Sequence, residues 1–191
     1  RDDDKLVGVE ITAGEHDILL FSSAGKSIRF KESDVRSVGR TAIGVRGIRL
    51  ADKDQVVSLI VAESDDPILT ATEKGYGKRT QLDEYRSQAR GGSGVISIKT
   101  SDRNGEVVGA IQVTDEDEMM LISNKGTLVR ARAVDVSIIG RNTQGVTLIN
   151  IADDEKLVSV AKIAETDDEE EGDILIEVDE APIANDSQDE K

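Results

Sequence analysis

Short apolar runs recur along this chain in a fixed order, each closed by Gly or by polar residues. LVGVEI at 6–11 opens the order, DILLFSS at 17–23 and KSIRFKE at 26–32 follow across the turn residues Ala24 and Gly25, and GVRGIRL at 44–50 closes it after the loop SDVRSVGRTAI at 33–43. Two β-rich runs around a Gly turn predict a hairpin. The order repeats with VVSLIVA at 56–62, ILTATE at 68–73, GKRTQL at 77–82 and GVISIKT at 94–100. It repeats again with VVGAIQV at 107–113, EMMLIS at 118–123, TLVRARA at 127–133 and GVTLINI at 145–151. The turn glycines Gly25, Gly75 and Gly126 keep step, and Leu157-Val158-Ser159-Val160 restates the first run. Side chains alternate with period two inside each run, so these are strands and not helices.

The pattern predicts an all-β fold of propeller-like blades, each of four antiparallel strands. Three repeats span about 5–53, 54–104 and 105–153, and a partial fourth is the strand at 157–163. Together they form one region over 1–165. Blades packed on both faces explain why some runs are apolar throughout rather than alternating. The trailing strand predicts exchange into a neighbouring sheet.

Aromatic residues are 2% of the chain and Trp is absent, so the core is built from Val, Ile and Leu, which favour strands. There is no Cys, which removes disulfides and thiolate-ligated metals and suits a reducing cytoplasm. No apolar run approaches the length of a membrane span, and RDDDKLVG at the start is not a signal peptide. Charged sequence with no Met at its head reads as a piece of a longer protein.

Charge changes the picture more. The net charge is −15, but residues 166–191 hold twelve acids and one Lys, leaving −4 on the other 165 residues. Seventeen Lys and Arg against five Asp and Glu fall in the bands 24–50, 74–100 and 125–150. The acidic end, TDDEEEGDILIEVDEAPIANDSQDEK, is too highly charged to collapse, which predicts a disordered tail over 166–191. Ile174-Leu175-Ile176 and Val178 form an apolar island within it that is able to dock.

The basic residues keep the repeat. Arg40, Arg90 and Arg141 sit four residues before Gly44, Gly94 and Gly145. Arg29, Arg79 and Arg130 share a position in the third strand; Arg36 and Arg86 share another; Lys31 and Arg132 a fourth. Lys74 and Lys125 flank the turns, and Arg46 and Lys78 lie in the same bands. Equivalent positions on a ring of blades give a curved track of cations, and duplex DNA is the polyanion that fits it. Gly91, Gly92 and Gly94 let backbone N–H groups approach a phosphate. Contacts of this kind fix position and carry little sequence preference. A second role fits each Arg equally well: tying neighbouring blades together. A third reading of the whole is a propeller-type protein-interaction scaffold.

Nothing in the chain reads as catalytic. His16 lies in a polar loop beside Glu15 and Asp17 and is expected to be solvated. Gly75-Tyr76-Gly77 lacks the third glycine and the helix of a dinucleotide site and reads as a turn. Tyr76 and Tyr85 have no base or metal cluster beside them in the sequence, so packing or a base contact is expected. The runs Asp2–Asp4, Asp115–Glu118 and Asp167–Glu171 lack calcium-loop spacing and are expected to be solvated.

FSSAGKSIRFKESDVRSVG at 21–39, GVRGIRL at 44–50, ILTATEKGYGKRT at 68–80, GVISIK at 94–99, GTLVRARAVDVSIIGRNTQGV at 126–146 and the acidic end together resemble the C-terminal domains of DNA gyrase A subunits. The resemblance implies a six-bladed β-pinwheel that exchanges a strand between blades and wraps duplex DNA on its basic rim. This chain would be the second half of the ring plus the tail. The family's box, Q-K/R-R-G-G-K/R-G, is matched by QARGGSG at 88–94 in Gln88, Arg90, Gly91, Gly92 and Gly94, with Ala89 and Ser93 at the other basic positions. That departure implies an intact box upstream of Arg1. The resemblance also implies, as partners, a gyrase core and the B subunit of gyrase. It implies ATP and Mg2+ used elsewhere in the parent topoisomerase, no cofactor in this chain, and a tail that competes with DNA for the rim. The matching domain of topoisomerase IV, with degenerate boxes, is the near alternative.

Overall fold

The computed structural model describes residues 4–163. The tail at 166–191 and the acids at Asp2 and Asp3 lie outside the described residues. Eleven strands form three antiparallel sheets, with no α-helix among the described residues. The hairpin of the first repeat is β1 (Asp17–Ser22) and β2 (Lys26–Lys31); the next strands are β3 (Val56–Ala62), β4 (Ile68–Thr72), β5 (Tyr76–Thr80) and β6 (Val95–Ile96). β7 (Val107–Gln112), β8 (Glu118–Ser123), β9 (Leu128–Arg132), β10 (Val146–Thr147) and β11 (Leu157–Lys162) complete the order. A short 3-10 turn follows each hairpin, at Glu32–Asp34, Leu82–Glu84 and Ala133–Asp135.

The sheets are not the contiguous units expected from the repeat. The first has the order β3-β1-β2-β6 and the second β10-β5-β4-β7. Each blade therefore takes its hairpin from one repeat and both flanking strands from the next. Strand exchange is the rule in every sheet, and the trailing β11 follows it by pairing with β8 in a third sheet of order β11-β8-β9. By the same rule LVGVEI and GVRGIRL would flank a hairpin that precedes β1. No such hairpin is among the described residues, and neither segment forms the expected strand. Leu6, Val9 and Ile11 are correspondingly exposed.

Burial follows the stacking of sheets. β1 sends Leu19 and Phe21 to one face, where they pack with Ile60, Ile68, Leu82 and Tyr85, and Ile18 to the other, where it packs with Ile28, Phe30 and Ile48. Leu69, Met119, Leu121, Val136 and Leu157 fill the next layer. A strand covered on both faces has no reason to alternate, and β4 is buried at every residue. β8 has one covered face and alternates between buried and half-buried positions. The first strands β3, β7 and β11 lie against one another between sheets, which puts β6 and β10 at the opposite, outer edges.

Candidate nucleic-acid interface

The outer edge of each complete sheet is one excursion of chain. Gln88 N–H donates to the Arg29 carbonyl of β2 at 2.8 Å, Val95 and Ile96 rejoin β2 opposite Ser27 and Lys26, and QARGGSG bulges between them. The second sheet repeats this: Ile139 N–H donates to the Arg79 carbonyl at 2.9 Å, and β10 rejoins β5 after the loop GRNTQG. Gly94 has φ +69° and lies so close to β2 that a Cβ would run into the Ser27 carbonyl; Gly145 stands in the same way over Gly77. Gly44, which faces no hairpin, has open space around it.

This geometry sorts the seventeen residues that the sequence singled out. Five cations are used inside the protein. Arg29 bonds Asp17 through Nε at 2.9 Å and reaches the carbonyl of Leu82 at 3.0 Å in the following repeat. Arg79 is buried; it donates to the Val136 carbonyl at 2.8 Å and pairs with Asp115. Arg90 donates to the Asp34 and Arg46 carbonyls, and Arg141 to the Ile96 carbonyl at 2.7 Å with Glu84 beside it. These are equivalent grips, one repeat apart, by which each loop holds the blade before it. Lys78 is fully buried and donates to the carbonyls of Gly140 and Arg141 at 2.7 and 2.5 Å and to Thr143 Oγ1 at 3.1 Å. Burial pushes its pKa down to about 8. The expectation that these five face a phosphate is therefore corrected: they join blades, because a cation at every copy serves the junction that every copy makes.

The three glycines are corrected too. The Gly91 N–H is already given to the Gly47 carbonyl, the Gly92 carbonyl accepts from Arg49 N–H, and Gly94 is packed on β2. Their role here is close packing of chain on chain.

Five cations are at the surface in ion pairs or on a carbonyl: Lys31 with Asp17 at 3.0 Å, Arg132 with Asp135 at 2.9 Å, Lys125 with Asp154 and Arg130 with Glu118, while Lys74 donates to the Asp102 carbonyl. Exposed pairs contribute at most about 1 kcal/mol each, so a phosphate can replace the carboxylate at small cost. Arg36, Arg40, Arg46 and Arg86 are exposed, and no side-chain partner engages any of them among the described residues. Arg40 is the copy of Arg90 and Arg141 that has no earlier repeat to grip. Arg49 and Lys99, fifty residues apart in the segments around the outer strands, are equally exposed and partner-free, and sequence reasoning missed them. Their shared repeat position was the available signal.

Other expectations fare unevenly. Tyr85 packs in the core, edge-on to Phe21 with centroids 5.8 Å apart, and burial raises its phenol pKa. Tyr76 lies under Arg103, 5.0 Å from ring centroid to guanidinium carbon, and a hydrogen bond with Arg103 lowers its phenol pKa. His16 is not simply solvated; its Nδ1 lies 3.7 Å from Glu32. Nor is 115–118 solvated acid: Asp115 holds Arg79, Glu118 holds Arg130, and the largely buried Asp117 accepts from Thr114 N–H and Lys162, both at 2.7 Å.

Strand-exchanged blades whose outer edges carry unpaired arginine define a propeller-type module with a cationic perimeter. The chain belongs to the family of the DNA gyrase C-terminal domain, beta-propeller, whose pattern matches at residues 16–63, 66–114 and 117–164. Each matched unit runs from a hairpin through the first strand of the next repeat, as in the sheets. The DNA gyrase A subunit of Escherichia coli K12 is 55% identical over 174 residues, which cover 91% of this chain and 20% of that protein. The DNA gyrase A subunit of Klebsiella oxytoca is 54% identical over 172 residues, covering 90% and 20%. The chain thus spans about a fifth of the length of these curated relatives. A solved DNA gyrase A C-terminal domain superposes with a TM-score of 0.80 at 31% identity, over 86% of this chain and 56% of that one. The C-terminal domain of DNA topoisomerase IV superposes with a TM-score of 0.80 at 28% identity, over 84% and 50%. No helix among the described residues is long and apolar enough to cross a membrane.

Proposed function

We propose that this chain is a DNA-wrapping module of a cytoplasmic gyrase A subunit. Duplex DNA lies along the outer edges of the blades, where Arg36, Arg40, Arg46 and Arg86 offer unengaged guanidinium groups and the surface-paired cations exchange their carboxylates for phosphate. The observation that carries this reading is the division of labour among the cations: the buried ones hold blade to blade, and the free ones lie exposed. Bending a short duplex costs on the order of a few kcal/mol, which phosphate contacts around the curve offset. Backbone contacts alone make that binding largely indifferent to sequence.

In the parent enzyme the wrap presents a crossing of fixed hand to the gyrase core, and strand passage there is biased toward negative supercoils. The partners in this reading are the gyrase core and the B subunit of gyrase, with ATP and Mg2+ acting on those parts. The described residues hold no group of three or more His, Asp or Glu side chains placed to hold a metal ion. Topoisomerase IV remains as close in fold; the identity of the chain to gyrase A subunits favours gyrase. The acidic tail competes with DNA for the perimeter.

A salt titration tests the reading. With roughly six phosphates neutralised, log affinity for duplex DNA falls against log salt with a slope of about −5. Binding that is undetectable or insensitive to salt, even for residues 1–165, would favour the protein-interaction scaffold. Tighter binding by residues 1–165 than by 1–191 supports competition by the tail, and equal affinities reject it.

A further inference from the structure

The third sheet has no strand outside β9 among the described residues, and its edge carries the marks of a missing one. Leu128 is 62% exposed. Gly126 has open space where Gly25 and Gly75 are crowded by the carbonyls of Ile98 and Ile149 from the outer strand. The three outer segments read GVRGIRL at 44–50, GVISIKT at 94–100 and GVTLINI at 145–151. The apolar island of the acidic tail reads GDILIEV at 172–178, with the same leading Gly, an Ile four residues on and an apolar seventh residue. It shares Gly, Leu and Ile with GVTLINI at the first, fourth and fifth places, and departs in having Asp173 where the others have Val.

We propose that residues 172–178 add to β9 as the outer strand of the third sheet. The two complete sheets fix the register: Ser27 faces Val95 and Lys26 faces Ile96, as Gly77 faces Val146 and Tyr76 faces Thr147. In that register Leu128 faces Asp173 and Thr127 faces Ile174. Gly25 and Gly75 each accept two N–H groups from the outer strand, from Ser97 and Ile98 and from Leu148 and Ile149, so the Gly126 carbonyl accepts from Leu175 and Ile176. Continuing the ladder backwards sets Glu171 opposite Arg130 and Glu169 opposite Arg132, the two exposed arginines of β9.

The chain is long enough. Ile163 N–H donates to the Glu118 carbonyl, at the end of the sheet where Glu118 faces Arg132. Three strand spacings from β11 to a strand outside β9 are about 14 Å. The nine residues from Ile163 to Gly172 reach about 30 Å when extended. The pairing places the acid run on the perimeter, and it stands whether or not that perimeter binds DNA.

The chain has no Cys, so a disulfide reports the register directly in the 191-residue protein. The expected result is that Thr127→Cys/Ile174→Cys closes within one chain under mild oxidation while Thr127→Cys/Ser187→Cys does not. Hydrogen exchange gives a second reading: the outward-facing amides of 127–130 lose protection in Leu175→Asp/Ile176→Asp and keep it in Ile183→Asp. Equal closure of both cysteine pairs, a cross-link between two chains, or protection unchanged by Leu175→Asp/Ile176→Asp overturns the proposal.

Discussion

Arg79 and Arg36 stand in the same basic bands of the sequence and do opposite things. Arg79 is buried, and truncating it leaves the Val136 carbonyl without its donor. Arg79→Ala is expected to lower stability by about 2–3 kcal/mol in urea unfolding, while Arg36→Ala stays within about 0.5 kcal/mol of the parent chain. Lys78 adds a pH signature. Its folded pKa of about 8 lies below the ordinary 10.5, so the unfolded chain binds more protons between those values. Lys78's contribution to stability therefore rises with pH through that window. Unfolding free energies of the parent chain and Lys78→Met, compared at pH 7 and pH 10, should move in favour of the parent chain at the higher pH. A difference independent of pH would show that Lys78 is not held at a depressed pKa. Asp17 behaves in the opposite sense: burial works to raise its pKa, but hydrogen bonds and charge from Arg29 and Lys31 outweigh it and lower the value. Its contribution is present above the ordinary carboxylate pKa and is lost as pH falls through the lowered one.

Strands and glycines carry the argument at the scale of elements. Gly94 and Gly44 both have positive φ, but only Gly94 is pressed on a neighbouring strand. Gly94→Ala should cost about 2–3 kcal/mol more than Gly44→Ala in urea unfolding, because overpacking is added to a shared backbone strain. Equal costs would mean that the outer strand is not held against β2. Every hairpin strand was legible from alternation and turn glycines, to within a residue or two. The phase of the blades was not, because a period fixes the spacing of repeats and leaves open where a sheet begins. So LVGVEI and GVRGIRL read as strands of the first blade, while the rule of exchange assigns them to an earlier one. The same limit governed the interface. Repetition led to Arg29, Arg79, Arg90 and Arg141, and what recurs in each copy is the joint between blades. The unengaged cations Arg36, Arg46, Arg49, Arg86 and Lys99 follow the repeat only in pairs or not at all, and burial had to be seen before they stood out.

At the scale of the whole molecule, a chain of net charge −15 presents arginine at its outer edges because most of the excess acid lies in its last 26 residues. The central claim is that stability and DNA affinity rest on different cations. The direct test is duplex affinity against salt for the parent chain and for Arg36→Gln/Arg40→Gln/Arg46→Gln/Arg86→Gln, alongside urea unfolding of both. Loss of four phosphate contacts predicts a salt slope shallower by about 3–4 with the urea midpoint unchanged. An unchanged slope, or a midpoint that falls with the affinity, would contradict it.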